Sequence, residues 1–331
     1  MQFPTALKPV LVTIPLPGGR GLPIRWYALA YVAGILLGWR YGVGLVRDAR
    51  VWAGRVRTAT DRQVDDFVLW VTAGIILGGR IGYVLFYMAV QQPEQLRADP
   101  WMVFRTWEGG MSFHGGLIGV TLAILLFAWR NRIDILRLAD LTAPCVPIGL
   151  FFGRCANFVN GELWGRPTSL PWGMVFPDAG PLPRHPSQLY EASLEGVALF
   201  LILRLATHRF KLLTRQGAVT GLFLLFYGVF RFALEWTREP DRGMPDYAFG
   251  LTQGMRLSIP LVLAGIALIL WSRRPQALAA PAPVETDGAI PARVDDTPPE
   301  APADAFSALD DEAASRDVLD PRDEPSASPR G

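Results

Sequence analysis

The sequence predicts an all-α membrane protein of about seven transmembrane helices, with its N-terminus outside and its C-terminus in the cytoplasm. Three observations predict it. Apolar runs of membrane length recur along the chain, cationic residues crowd alternate loops, and the composition changes abruptly at Pro275. The bulk figure decides nothing, because half of the 331 residues are hydrophobic and soluble domains approach that share too. A membrane helix needs about 20 predominantly apolar residues. Runs of that kind fall at 26–45, 66–90, 112–130, 134–158, 188–206, 217–236 and 257–272. The fourth is the weakest, since Pro144, Pro147 and Arg154 interrupt it. Proline is tolerated in such helices where neighbours re-satisfy the backbone. The stretch Thr5 to Gly21 is rich in Pro and Gly and does not read as a cleavable leader.

The loops set the orientation. Arg40 to Arg62, Arg130 to Arg137, Arg204 to Arg215 and the pair Arg273–Arg274 carry 15 cations, against 10 on the opposite side. The positive-inside rule puts the first set in the cytoplasm. Residues 1–274 form the expected membrane domain, with 28 Lys/Arg against 17 Asp/Glu. Residues 275–331 hold four Arg, thirteen Asp/Glu and ten Pro. That composition cannot bury enough apolar surface to offset ordering, so it predicts a disordered acidic cytoplasmic tail. The basic body suits an anionic lipid bilayer, and the apolar spans exclude a nucleic-acid partner. The two cysteines, Cys145 and Cys155, indicate no disulfide framework.

The polar residues inside the spans gather at one face. With this topology the outer ends carry Arg25 and Tyr27; Ser112 and His114; Arg154, Asn157, Asn160 and Glu162; His185, Gln188, Tyr190 and Glu191; and Arg231, Glu235 and Arg238. Charge in a membrane helix is expensive and faces a protein interior or cavity. Convergence of five segments at one depth predicts a single site open to the outer leaflet. Arg154 and Asn157 are three residues apart, and Arg231, Glu235 and Arg238 form one helical stripe. Gly115, Gly116 and Gly119 allow close approach beside His114. The six prolines from Pro167 to Pro186 mark an irregular loop over the site.

Plainer readings stand beside these. Arg154 and Arg231 could pair with Glu162 and Glu235, Arg80 reads as a structural ion-pair partner, and Glu195 should pair with an arginine. Arg238, Pro240 and Asp241 could cap span 6. Cys155 reads as a small filler. A transporter would put its site nearer the midplane and show inverted repeats. A serine protease would need a context that Ser112 and Ser187 lack.

The run Gly153-Arg154-Cys155-Ala156-Asn157-Phe158-Val159-Asn160-Gly161-Glu162-Leu163-Trp164-Gly165 resembles the signature of the prolipoprotein diacylglyceryl transferase family. Gly109 to Gly119, Arg184-His185-Pro186-Ser187-Gln188-Leu189-Tyr190-Glu191, Arg231 to Asp241, Gly78 to Tyr83 and Arg25-Trp26-Tyr27 resemble it too, in the family's order over about residues 20–274. The resemblance implies an enzyme of the bacterial inner membrane. It would move diacylglyceryl from phosphatidylglycerol to the lipobox cysteine of a prolipoprotein signal peptide, releasing glycerol 1-phosphate, with no metal and no organic cofactor. The chemistry suits the residues. A free thiol is only a few per cent thiolate at neutral pH, and the imidazole of His114 is a side chain that can serve as a base. Arginine carries a permanent charge and a donor fork for phosphate. The expected catalytic set is therefore His114, Arg154 and Arg231. Tyr27, Asn157, Asn160, Glu162, Glu235 and Arg238 join Arg154 in binding substrate.

Overall fold

The computed structural model describes residues 1–4, 7–15, 21–91, 93–105, 109–239, 250–275, 278 and 280. The chain divides into two units, Met1–Pro283 and Val284–Gly331. The second unit, with almost all of the expected acidic tail, lies outside the described residues, as do Pro240 and Asp241. The first unit is mostly helical.

Each apolar run becomes helix. The first forms α1 (Trp26–Arg47) and continues into the short α2 (Ala49–Trp52). The second forms α3 (Asp61–Tyr83), opened by a Thr60–Gln63 capping box and prolonged by a π-helical stretch, Val84–Met88. Two short pieces follow, α4 (Ala89–Gln91) and α5 (Pro93–Ala98), and then α6 (Phe113–Asn131). The fourth run is two helices, α7 (Ile135–Thr142) and α8 (Val146–Val159), which meet at a bend of 48° beside Pro144 and Pro147. The fifth is α9 (Ser187–Glu191), a π-helical stretch Ala192–Ala198, and α10 (Leu199–His208). The sixth and seventh are α11 (Ala218–Leu234) and α12 (Gln253–Ser272). Among the described residues, three helices are long and apolar enough to cross a membrane: Trp26–Arg47, Asp61–Met88 and Gln253–Ser272. The bent pair α7–α8 adds a fourth when taken as one span, and α11 is a shorter apolar helix. Leu69, Ile81, Trp129 and Leu263 all expose their side chains, the pattern of a surface that faces lipid.

One feature departs from an all-helical reading. Val10–Pro15 (β1) and Gly21–Arg25 (β2) pair antiparallel just before α1. The alternating, β-branched run Val10-Leu11-Val12-Thr13-Ile14 accounts for it.

Two packing devices position the site. α3 and α6 meet backbone to backbone: a Cβ on Gly78 would run into the Gly115 carbonyl, and one on Gly74 or Gly82 would strike Gly119 or Gly115. Small residues let helices approach this closely where lipid supplies no hydrophobic drive between them. At the other end of the spans, Trp52 is buried and donates its indole N–H to the Leu45 carbonyl at 2.9 Å, inside a core shared with Leu199, Leu203 and Leu213. Buried Asp140 on α7 caps the start of α11, accepting from the Gly217 and Thr220 amides at 2.6 and 2.7 Å and from the Thr220 hydroxyl at 2.8 Å. That cap fixes α11, whose far end carries Arg231.

Candidate active site

Arg154 stands on α8, one turn before Asn157. Its Nε lies 2.7 Å from Oε2 of Glu191, the last residue of α9, and its Nη2 lies 3.6 Å from Oε2 of Glu195 in the π-helical stretch that follows. Arg231 sits on the last turn of α11, with Nη2 at 2.9 Å from Glu235 Oε2 and Nη1 at 3.8 Å from Glu191 Oε1. Arg238, just beyond that helix, reaches the same Glu191 oxygen at 3.2 Å. Four segments of the chain thus meet around one carboxylate that is 1% exposed. Glu195 and Glu235 are buried as well.

A second polar group adjoins the first. Asn157 and Asn160 both donate to Glu162 Oε1, at 2.8 and 3.2 Å. Gln188 donates to the Glu162 carbonyl and Ser187 to the Leu163 carbonyl, the latter at 2.9 Å. Gly161 takes φ +68° and Leu163 φ +56°, so the chain turns tightly here, with a non-glycine residue in a sparsely populated conformation. The segment after α11 is stitched to this turn: Arg166 pairs with the Thr237 and Arg238 carbonyls, and Arg184 lies 3.2 Å from Glu239. Tyr190 on α9 accepts from the indole of Trp172 in the preceding loop at 2.6 Å, and partial burial lowers the pKa of His185 beside it.

A cavity of about 640 Å³ opens on this cluster. Its walls come from α1, α3, α6, α7 and α8 and are almost wholly apolar. Along α1 they run from Tyr27 to Gly42, which is about 22 Å at the rise of a helix. Arg154 is the only charged side chain among the described residues that line it, and Asn157 and Tyr27 line it too. Tyr27 lies within electrostatic reach of both Arg154 and Glu162.

The structure therefore brings together Arg154, Arg231, Glu235 and Arg238, and beside them Asn157, Asn160, Glu162 and Tyr27. His114 stands apart from the ion pairs just described. It is exposed at the start of α6, where Ser112 caps the helix, and it is not one of the residues lining the cavity. Two pairings differ from the sequence expectation. Arg154 meets Glu191 and Glu195 rather than Glu162, whose carboxylate is taken by two asparagines. Arg80 holds carbonyls instead of a carboxylate: Met102, Val103, Gly109 and Gly110 all accept from it. Arg231 does meet Glu235, and Glu195 does meet an arginine. Glu191 was read only as an outer polar residue. Its four-residue spacing from Glu195 was the available signal, because two carboxylates on one face of a span require cations from other spans.

The family model described as prolipoprotein diacylglyceryl transferase matches residues 12–271. The phosphatidylglycerol–prolipoprotein diacylglyceryl transferase of Caulobacter sp. (strain K31) is 59% identical over 276 residues, covering 79% of this chain and 90% of the relative. Its counterpart in Phenylobacterium zucineum (strain HLK1) is 56% identical over 296 residues, 86% and 99% of the two chains. That of Rhodopseudomonas palustris (strain ATCC BAA-98 / CGA009) is 52% identical over 267 residues, 78% and 90%.

Proposed function

Because the chain belongs to the prolipoprotein diacylglyceryl transferase family, we propose that it transfers diacylglycerol from phosphatidylglycerol to a prolipoprotein thiol at the Arg154 end of the cavity. The observation that carries this reading is the cavity itself. It is long and mainly apolar, with Arg154 as the one charged side chain among the described residues that line it, the shape and charge that a phospholipid's tails and phosphate require. The lipobox cysteine of the signal peptide supplies the sulfur.

In the step proposed, the sulfur forms a bond to the terminal glycerol carbon of the diacylglyceryl unit. The bond from that carbon to the phosphate oxygen breaks, and its electron pair leaves with glycerol 1-phosphate. Nucleophile and leaving group both belong to the substrates, so the displacement needs neither metal nor organic cofactor. Negative charge grows on the bridging oxygen as the bond lengthens. Fixed donors in a water-poor site stabilise such charge most where they need no reorganisation. Arg154 and Arg231 hold the phosphate, and Arg238 adds a third cation behind them. Asn157, Asn160, Glu162, Glu235 and Tyr27 orient these arginines or bind the headgroup. His114 accepts the thiol proton as the peptide enters.

The same reading gives seven spans: α1; α3 with its π-helical extension; α6; α7–α8; α9–α10; α11; and α12. The N-terminus is then external, the chain is multi-pass in the bacterial inner membrane, and residues 275–331 form a cytoplasmic tail. Purified protein incubated with phosphatidylglycerol and a lipobox peptide is expected to raise the peptide's mass by one diacylglyceryl unit. Peptide cleavage would show a protease instead, and lipid-independent solute flux a transporter.

A further inference from the structure

The mechanism above gives no task to two buried carboxylates of the cluster, Glu191 and Glu195. Glu191 meets three arginines from three segments, Arg154 on α8, Arg231 on α11 and Arg238 beyond it. Its two oxygens divide the work: Oε2 faces Arg154 and Oε1 faces the other two. A guanidinium is a rigid planar fork, so fixing one N–H fixes the direction of the others. Nε of Arg154 is held 2.7 Å from Glu191 and its Nη2 lies 3.6 Å from Glu195, and the residue lines the cavity. Glu191 is itself located from the other side. One turn earlier on α9, Gln188 and Ser187 are tied to the backbone of Glu162 and Leu163. The carboxylate therefore stands at a set distance from the turn that carries Asn157, Asn160 and Glu162.

Holding helices together is a poor account of this arrangement. Three arginines and the carboxylates Glu191, Glu195 and Glu235 are buried or nearly so. Desolvating such a set costs about as much as the pairing returns, and apolar packing would hold the helices as well. What apolar packing cannot do is fix the orientation of three guanidinium groups at once.

We infer that Glu191 is the positioning residue of the phosphate site: its carboxylate sets the guanidinium planes of Arg154, Arg231 and Arg238 before the lipid arrives. This deepens the reading given above and rests on it. The test uses the full-length protein in detergent, with phosphatidylglycerol and a lipobox peptide. Glu191→Asp keeps the charge and withdraws it by one methylene, so the protein should fold. Its kcat is expected to fall about tenfold with KM for the peptide unchanged. Glu191→Gln, where it folds, should fall further, to about one hundredth. The decisive measurement is the coupling. In an Arg154→Lys background the fork facing Oε2 is gone and those of Arg231 and Arg238 remain, so Glu191→Asp should cost clearly less than in the wild type, about threefold. A wild-type kcat for Glu191→Asp overturns the inference, and so do losses from Arg154→Lys and Glu191→Asp that simply multiply. Wild-type turnover in Arg154→Gln would instead remove the phosphate reading. Loss of turnover in Arg154→Gln beside a wild-type Glu191→Asp removes only the role of Glu191.

Discussion

The seam between α3 and α6 and the cluster around Glu191 are both tight, and they are tight for opposite reasons. The seam is made of Gly74, Gly78, Gly82, Gly115 and Gly119, with backbone atoms where side chains would otherwise stand. Its glycines carry no charge and need no partner chemistry; close dispersion contact is enough. The cluster buries arginines and glutamates whose desolvation offsets most of their attraction. A helix bundle in lipid can be assembled by the first device alone. The second is explained by what it leaves pointing into the cavity, and this division predicts which substitutions touch turnover and which touch stability.

The largest effect is expected at Arg154. Arg154→Gln removes the only charged side chain among the described cavity-lining residues. Loss of one preorganised donor to a developing oxyanion costs about 10²–10³ in kcat, and this cation should lie at the upper end of that range. Transfer to the lipobox peptide, followed by mass spectrometry, measures it. Near-wild-type turnover would make the cluster a structural device like the seam and dissolve the contrast. His114→Gln comes next. General-base assistance contributes about 10²–10⁴, and a partly thiolate nucleophile sets the expected loss near the low end, about a hundredfold at neutral pH. The loss should shrink as pH rises toward the thiol's own pKa, because hydroxide then does the work of the base. A variant with near-full turnover at every pH would pass thiolate stabilisation to the arginines alone.

The helices were legible because span length and apolarity are local properties of sequence. All seven runs became helix, and the weak fourth bent at the prolines that weakened it. The gathering of Arg154, Arg231, Glu235 and Arg238 was legible because charge in an apolar span must go inward. Pairing was not. Glu162 was one partner open to Arg154, but the chain turns at Gly161 and gives Glu162 to Asn157 and Asn160. Arg80 was given a carboxylate, and the fold offered it four carbonyls. The hairpin is poorly legible in sequence because the Pro- and Gly-rich composition of Thr5 to Gly21 masks the β-branched run Val10 to Ile14. In each case the composition restricts the partners to a few and tertiary geometry picks one.

Gly78→Ala probes the seam. The new Cβ would meet the Gly115 carbonyl and lie 2.7 Å from the Gly119 Cα, both backbone atoms on another helix. Neither can swing aside, so α3 and α6 must separate. Overpacking of this kind costs about 1–3 kcal/mol, more than alanine regains in helix propensity, about 1 kcal/mol. The expected readout is a lower Tm in detergent with little change in kcat for the folded fraction. A fall in kcat matching that of Arg154→Gln would mean that the seam also sets the site.

The smallest effect is expected at Asp48, away from both regions. Its side chain caps α2 by accepting from the Arg50 amide at 3.0 Å, and it pairs with the Arg50 side chain at 2.9 Å. That pairing holds its carboxyl below the ordinary range for aspartate. A group whose pKa is depressed by folding stabilises the folded state above its unfolded value, near 4, and loses that contribution as pH falls through its folded value. Asp48→Ala should therefore lower stability by about 1 kcal/mol at neutral pH, the typical worth of an N-cap. The deficit should narrow below about pH 4 as the wild-type carboxyl protonates. Turnover should not change at any pH, since neither the arginine cluster nor the glycine seam uses this turn. A Tm series on both proteins from neutral to acid pH measures the deficit. A deficit that stayed constant with pH would assign the stabilisation to helix geometry and not to charge.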